Sequence, residues 1–333
     1  MTFSTRNKTI VPALFMLLLT LGLFSCQKNL DYFVADENAL NAPDTVWYNN
    51  VTADMPVSLL KNELRYAYTR QNSNLQGGAV NHISLGSGLN VDIPAGALTD
   101  SSGQPYLGAM QVESVLLRTK GDYIRMGLSD ISFGHQMIHG GSYYLNFYNN
   151  SGQRLWVNQN TSVDVSFQSP LPYSSDMKIF KGQINGQDGN NWELANPSNV
   201  LNQSGGVYHT SVNELSWISC SYVPDLSSTE QTRVALSLPS NYTNANTIAF
   251  IVYDQLESVL ALGPNQTQRK FTSVDIAKNE PAKIIVLSKQ GGQYFLGYAD
   301  IVTQNAGQSG FQEISIVPTI TTLDNMKNYI GTL

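Results

Sequence analysis

From residue 110 to residue 299 the chain is a succession of short runs rich in Val, Ile, Tyr, Phe and Thr, each closed by Gly, Asn, Asp or Pro. Punctuation this frequent leaves no length for long helices and specifies antiparallel strands joined by tight turns. The runs fall at 110–117, 142–148, 162–168, 233–238, 247–253, 282–288 and 293–299. Between them lie turn-forming groups such as Asn149-Asn150-Ser151-Gly152, 185–190 and Gln290-Gly291-Gly292. The expected fold is therefore all-β, with tandem antiparallel β-sandwiches.

One stretch is ambiguous. Leu60, Leu64, Tyr66 and Tyr68 alternate with Lys61, Glu63, Arg65 and Thr69, a period that favours a strand. Leu60, Leu64 and Tyr68 also stand at i, i+4 spacing, so a helix stays open here. Further on, Pro224-Asp225-Leu226-Ser227-Ser228-Thr229 is polar and lacks alternation, which places a domain junction between a region at 51–224 and a sandwich of immunoglobulin-like size at 230–320.

Only 13% of the 333 residues are charged, and polarity is carried instead by Asn, Gln, Ser, Thr and Tyr. The net charge of −6 comes with no block of Lys or Arg, which excludes nucleic acid and anionic lipid surfaces as electrostatic partners.

The N-terminus reads as an address. Arg6 and Lys8 precede an apolar run from Ile10 to Phe24, shorter than the roughly 20 residues of a bilayer span, and it ends in Leu23-Phe24-Ser25-Cys26. That tetrapeptide resembles the lipobox of bacterial lipoproteins, which implies a signal peptide at 1–25 and lipidation of Cys26. The Gln27-Lys28 pair with Asp31 close by is similar to the export signal of Bacteroidetes-type surface lipoproteins. The polar stretch at 26–50 is then a lipidated, flexible tether. Removal of Arg6 and Lys8 with the signal would take the net charge from −6 to −8. The resemblance implies a protein held in the outer membrane by the lipid on Cys26, at the cell surface.

A second resemblance lies in Gly88-Leu89-Asn90-Val91-Asp92-Ile93-Pro94-Ala95-Gly96-Ala97-Leu98, which looks like the core motif of ZU5-type β domains. Read physically, Leu89, Val91 and Ile93 point one way, Pro94 ends the pairing, Gly96 permits the bend and Ala97-Leu98 re-enter the core. The resemblance covers about residues 80–170 and implies an interaction module rather than an enzyme. In related domains a His-x-Ser/Thr tripeptide can cleave itself, and His209-Thr210-Ser211 has that form. The alternative is a surface histidine at a strand edge.

No familiar catalytic motif is present. Asp122, Asp130, Asp164, Asp188 and Glu193 are scattered, without the spacing that predicts a glycosidase pair. His135 and His139 are the metal-site candidates, because residues four apart share a face on either a helix or a strand. Their Gly-rich setting lacks the glutamate of a zinc-protease helix, so no metal and no cofactor is expected. Cys220, with nothing left to pair with, is expected to be a buried, inert thiol. Trp47, Trp156, Trp192, Trp217 and the tyrosines raise the possibility of sugar stacking, although Trp156 and Trp217, in strand-like surroundings, are expected in the core. The sequence thus leads to a non-catalytic binding or scaffold module of the cell envelope, with a carbohydrate-binding surface lipoprotein of a glycan-uptake system as the alternative. Its partner is an envelope protein or a glycan.

Overall fold

The computed structural model describes residues 45–169, 171, 173–183 and 191–333; the expected signal peptide, Cys26 and most of the expected tether lie outside them. Among the described residues the protein is all-β, with three short helices. One pair of sheets comes from residues 69–222. The first is six-stranded, in the order Thr69–Leu75, Gly108–Leu117, Ile138–Asn149, Ser216–Tyr222, Lys178–Gln183, Asn191–Leu194. The second is five-stranded, in the order Val200–Ser204, Val207–Val212, Val163–Gln168, Asn90–Ile93, Asn81–Ser84. A core between them takes Met110, Val112, Leu145 and Phe147 from the six-stranded sheet and Val91, Ile93, Val165 and Phe167 from the other. Each such side chain contributes about 1.5–3 kcal/mol by leaving water.

Residues 231–321 build a second pair. A five-stranded sheet centred on Thr247–Tyr253 and Pro281–Gln290 faces a four-stranded one centred on Val234–Ser237. Their core holds Val234, Leu236, Ile251, Phe271, Ile284 and Val286. Among the described residues every strand ladder is antiparallel except one, in which Gln312–Ser315 runs parallel to Val234–Ser237.

The segment from Gly88 to Leu98 behaves as its residues dictate. Asn90–Ile93 is a strand, Leu89, Val91 and Ile93 are fully buried, and Ala97 and Leu98 return to the same core. Gly96 takes φ 74°, where a side chain would be strained.

Around Leu60 the structure departs from the strand that the alternation favours. Pro56–Leu64 is a helix, α1, opened by Pro56 in its first turn and buried along Val57, Leu60 and Leu64. The spacing of those three side chains is helical, and the strand begins only at Thr69. A second helix, α2 (Lys120–Met126), is started by a reciprocal cap between Thr119 and Asp122 and stopped by Gly127 at φ 67°. The third, α3 (Leu323–Ile330), is capped by the Thr322 hydroxyl, which accepts from the Asn325 N–H.

These helices join the two sandwiches. A further core takes Val115, Leu117 and Trp217 from the six-stranded sheet and Phe250, Val252 and Ile285 from the five-stranded sheet of the second pair. Leu60, Leu64, Tyr123, Ile124, Met326 and Ile330 of the helices fill it. Residues 45–333 accordingly belong to one compact unit. Chain order and packing cross over: α1 precedes the first sandwich yet docks on the second, where Glu63 meets Lys289 and accepts from the Tyr294 hydroxyl at 3.1 Å. Conversely, α3 follows the second sandwich and packs on α2 so closely that a Cβ at Gly121 would stand 2.1 Å from the Ile330 carbonyl oxygen. The last residues of the expected tether are also docked. Trp47 packs on Phe271 with ring centroids 5.0 Å apart, and the Asn244 amide donates to the Tyr48 carbonyl at 2.6 Å.

Candidate binding groove

The outer face of the sheet Val200–Ser204, Val207–Val212, Val163–Gln168, Asn90–Ile93, Asn81–Ser84 carries a different chemistry from its inner face. Strict alternation sends Val163, Val165 and Phe167 inward and leaves Asp164 and Ser166 outside. The same alternation leaves Asn90 and Asp92, then His209 and Ser211, on the outside. Register then aligns these residues into two rows that cross the strands. One row runs Ser211, Asp164, Asp92, His82. The other runs Asn202, His209, Ser166, Asn90, Ser84. Between and around the rows lies a groove of about 310 Å3 with a predominantly polar lining.

Two carboxylates dominate its electrostatics. Asp92 and Asp164 are directly opposite on adjacent antiparallel strands, a position in which side chains of like charge repel. Each has one close neighbour: the His82 ring nitrogen lies 2.7 Å from Asp92, and the Ser211 hydroxyl donates to Asp164 at 2.5 Å. The Ser162 and Ser211 hydroxyls, 2.7 Å apart, continue that chain. Among the described residues, no lysine, arginine, phenylalanine, tyrosine or tryptophan lines the groove.

His209-Thr210-Ser211 sits in the middle of this face. The tripeptide lies in a regular strand paired on both sides, with His209 exposed and opposite Ser166 and Asn202. Thr210 points inward, where its hydroxyl meets that of Tyr143 at 2.8 Å. The structure therefore puts the histidine on a sheet face, away from an edge.

The two metal candidates do not come together. His135 is exposed on the short hairpin Ile131–Ser132, His135–Gln136, beside Asp275. His139 is 1% exposed. Its Nδ1 lies 2.7 Å from Asp130 Oδ2, and its ring stacks on Tyr123 with centroids 4.0 Å apart. Asp130 Oδ2 also accepts the Val259 N–H at 2.7 Å, and a hydroxyl chain runs from Tyr123 through Ser142 and Ser219 to Ser221. Burial, and then the Asp130 charge, push the Tyr123 phenol well above its ordinary range. This network is sealed between the sandwiches, out of reach of a dissolved substrate. Among the described residues no group of three His, Cys, Asp or Glu is placed to hold a metal.

Cys220 is fully buried, and burial pushes its thiol up, away from the reactive thiolate. Trp192 and Trp217 are buried, as expected of strand tryptophans. Trp156, expected in the core, is 49% exposed instead. It sits on the two-stranded ribbon Leu98–Thr99, Trp156–Val157, and the Arg154 guanidinium lies 4.4 Å from its ring centroid. A single exposed ring of this kind is not a stacking platform.

Of the groove residues, Asp164 and the tripeptide His209-Thr210-Ser211 stand out in the sequence. Asn90, Asp92, Ser166 and Asn202 betray themselves solely as the polar half of an alternating strand. Their meeting depends on the strand order, in which residues 90–93 pair with 163–168 across more than 70 positions. No protein-family model matches the chain, and no curated protein resembles it in sequence beyond chance.

Proposed function

We propose that the chain is a non-catalytic binding module of the cell envelope, held at the outer membrane by lipid on Cys26, that engages its partner through the groove described above. The observation that supports this reading is the double row of solvent-facing polar side chains carried by adjacent strands of one sheet. A rigid scaffold that presents side chains from several strands holds them in fixed mutual geometry, which favours recognition. The local geometry of Asn90–Ile93 with its Pro94–Gly96 corner is consistent with a ZU5-like interaction domain. The chemistry suits a binder: the buried histidine–aspartate pair is inaccessible, and the groove histidine faces Ser166 and Asn202.

A second reading, carbohydrate binding, is favoured by the lining itself. Amides, hydroxyls and carboxylates in one groove match the alternating donors and acceptors of a polyol. It does not draw on the tryptophans, two of which are buried.

The test is a pull-down from cell-envelope extract, in parallel with a glycan array, using protein that starts at Gln27. Wild type and a groove-filling variant, Ser166→Trp with Asn202→Trp, are compared after matching their thermal melts. Loss of capture or of a glycan signal in the variant is the expected result. Equal capture by both proteins would show that the groove is not the binding site.

A further inference from the structure

Resting on the groove being a ligand site, we propose that its ligand is an amine-bearing glycan, an oligomer of amino sugars that lies across the strands. The direction follows from the rows. A chain crossing this sheet meets a polar side chain at every strand of the amide and hydroxyl row, and at every strand but the edge one, which presents Val200, in the acidic row, each step about 4.8 Å. Ser211, Asp164, Asp92 and His82 lie along one side of it, and Asn202, His209, Ser166 and Asn90 along the other. An extended peptide binds a sheet differently, by adding backbone hydrogen bonds along an edge strand, and such a peptide would not use this face. A ligand that runs across strands and touches only side chains must bring its own donors and acceptors, as a glycan does.

The amine follows from the charge. Asp92 and Asp164 oppose each other on adjacent strands; the His82 ring meets Asp92 at 2.7 Å and the Ser211 hydroxyl meets Asp164 at 2.5 Å, but among the described residues no lysine or arginine lines the groove to bridge the two carboxylates. A ligand ammonium seated between the two carboxylates relieves their repulsion and forms charge-assisted hydrogen bonds to both. A neutral sugar satisfies the acceptors and leaves the repulsion in place. An acidic glycan adds to it. Because no phenylalanine, tyrosine or tryptophan lines the groove among the described residues, selectivity rests on this pairing rather than on stacking. The amide and hydroxyl row of Asn202, Ser166 and Asn90 then serves the ring hydroxyls.

Calorimetry with protein starting at Gln27 separates the alternatives, with a de-acetylated chito-oligosaccharide, its fully N-acetylated counterpart, a lysine tripeptide and calcium chloride as probes. The expected result is binding of the de-acetylated oligomer that weakens with added salt, and about tenfold weaker binding of the acetylated one. Asp92→Asn with Asp164→Asn should lower affinity for the amine oligomer to the acetylated level, with the thermal melt unchanged or raised as the like-charge contact disappears. If the acetylated oligomer binds equally well and Asn202→Ala weakens both, the amine assignment fails while the groove remains the site. If the tripeptide or calcium binds as tightly as the oligomer at the aspartates, the site is a cation site and the glycan assignment fails. If no probe binds and the tryptophan variants leave envelope capture untouched, the groove reading itself fails.

Discussion

At the scale of single residues, the two halves of this molecule are tied by a carboxylate that water does not reach. Asp130 accepts from the Val259 N–H, its own N–H donates to the Val259 carbonyl at 2.7 Å, and it holds the His139 ring. Removing the Asp130 carboxylate leaves the Val259 N–H and the His139 ring nitrogen unsatisfied in a buried site, at a typical cost of about 1–3 kcal/mol for each orphaned group. Asp130→Ala should therefore lose about 3 kcal/mol in urea unfolding, whereas Asp130→Asn, which keeps an acceptor oxygen, should lose less. A loss below about 1 kcal/mol in the alanine variant would mean that the pair contributes nothing beyond ordinary hydrogen bonds. Little of this was legible beforehand. Asp130 and His139 read as one scattered acid and half of a metal pair, since nothing local says that the hairpin between them would be pressed against residues 257–261. Trp156 shows the converse: its neighbours have strand character, but its strand is two residues long and lies on a peripheral ribbon.

At the scale of elements, the helix α2 is seven residues long, too short to persist by propensity alone, and is held by its ends and its buried face. Thr119 and Asp122 satisfy each other's backbone N–H groups, and Asp122 also accepts from the Tyr66 hydroxyl at 3.0 Å. Thr119→Ala should cost about 1 kcal/mol, measured as a shift of the denaturation midpoint at constant slope. No shift would mean that packing alone sets the helix. The strands were readable because alternation and turn residues agree, as at Thr247–Tyr253, where the apolar run and the observed strand coincide. The helix α1 was not, because Leu60, Leu64 and Tyr68 satisfy both periods. The deciding facts are Pro56 at its start and an apolar surface waiting on the strand Pro281–Gln290, more than 200 residues away. The groove belongs to the same class: each strand announces which residues face outward, and only the strand order says which of them become neighbours.

At the scale of the whole molecule, the sequence suggests two modules with a junction at 224–229, and the packing binds them together from both ends. The six-stranded sheet is apolar on both faces because one face meets its own sandwich and the other meets the shared core. That is why Ser216–Tyr222 is buried almost throughout although its residues alternate in character. The C-terminal helix α3 is the most distant element in sequence that closes this core; Met326 is fully buried in it, and the helix packs on α2, which lies between two strands of the first sandwich. Met326→Ala deletes a buried side chain at a typical cost of about 2–5 kcal/mol. If the sandwiches unfold as one unit, that loss, although made seven residues before Leu333, should be felt in the first sandwich as well. It should lower a single transition seen identically by tryptophan fluorescence, which in a Trp47→Phe background reports chiefly on the buried Trp192 and Trp217 of the first sandwich, and by circular dichroism, which reports on all strands. Two separated transitions, with the tryptophan signal unmoved, would mean that the shared core is a contact between independent domains. A common shift would mean that the surface bearing the groove is held rigid by residues at the opposite end of the chain.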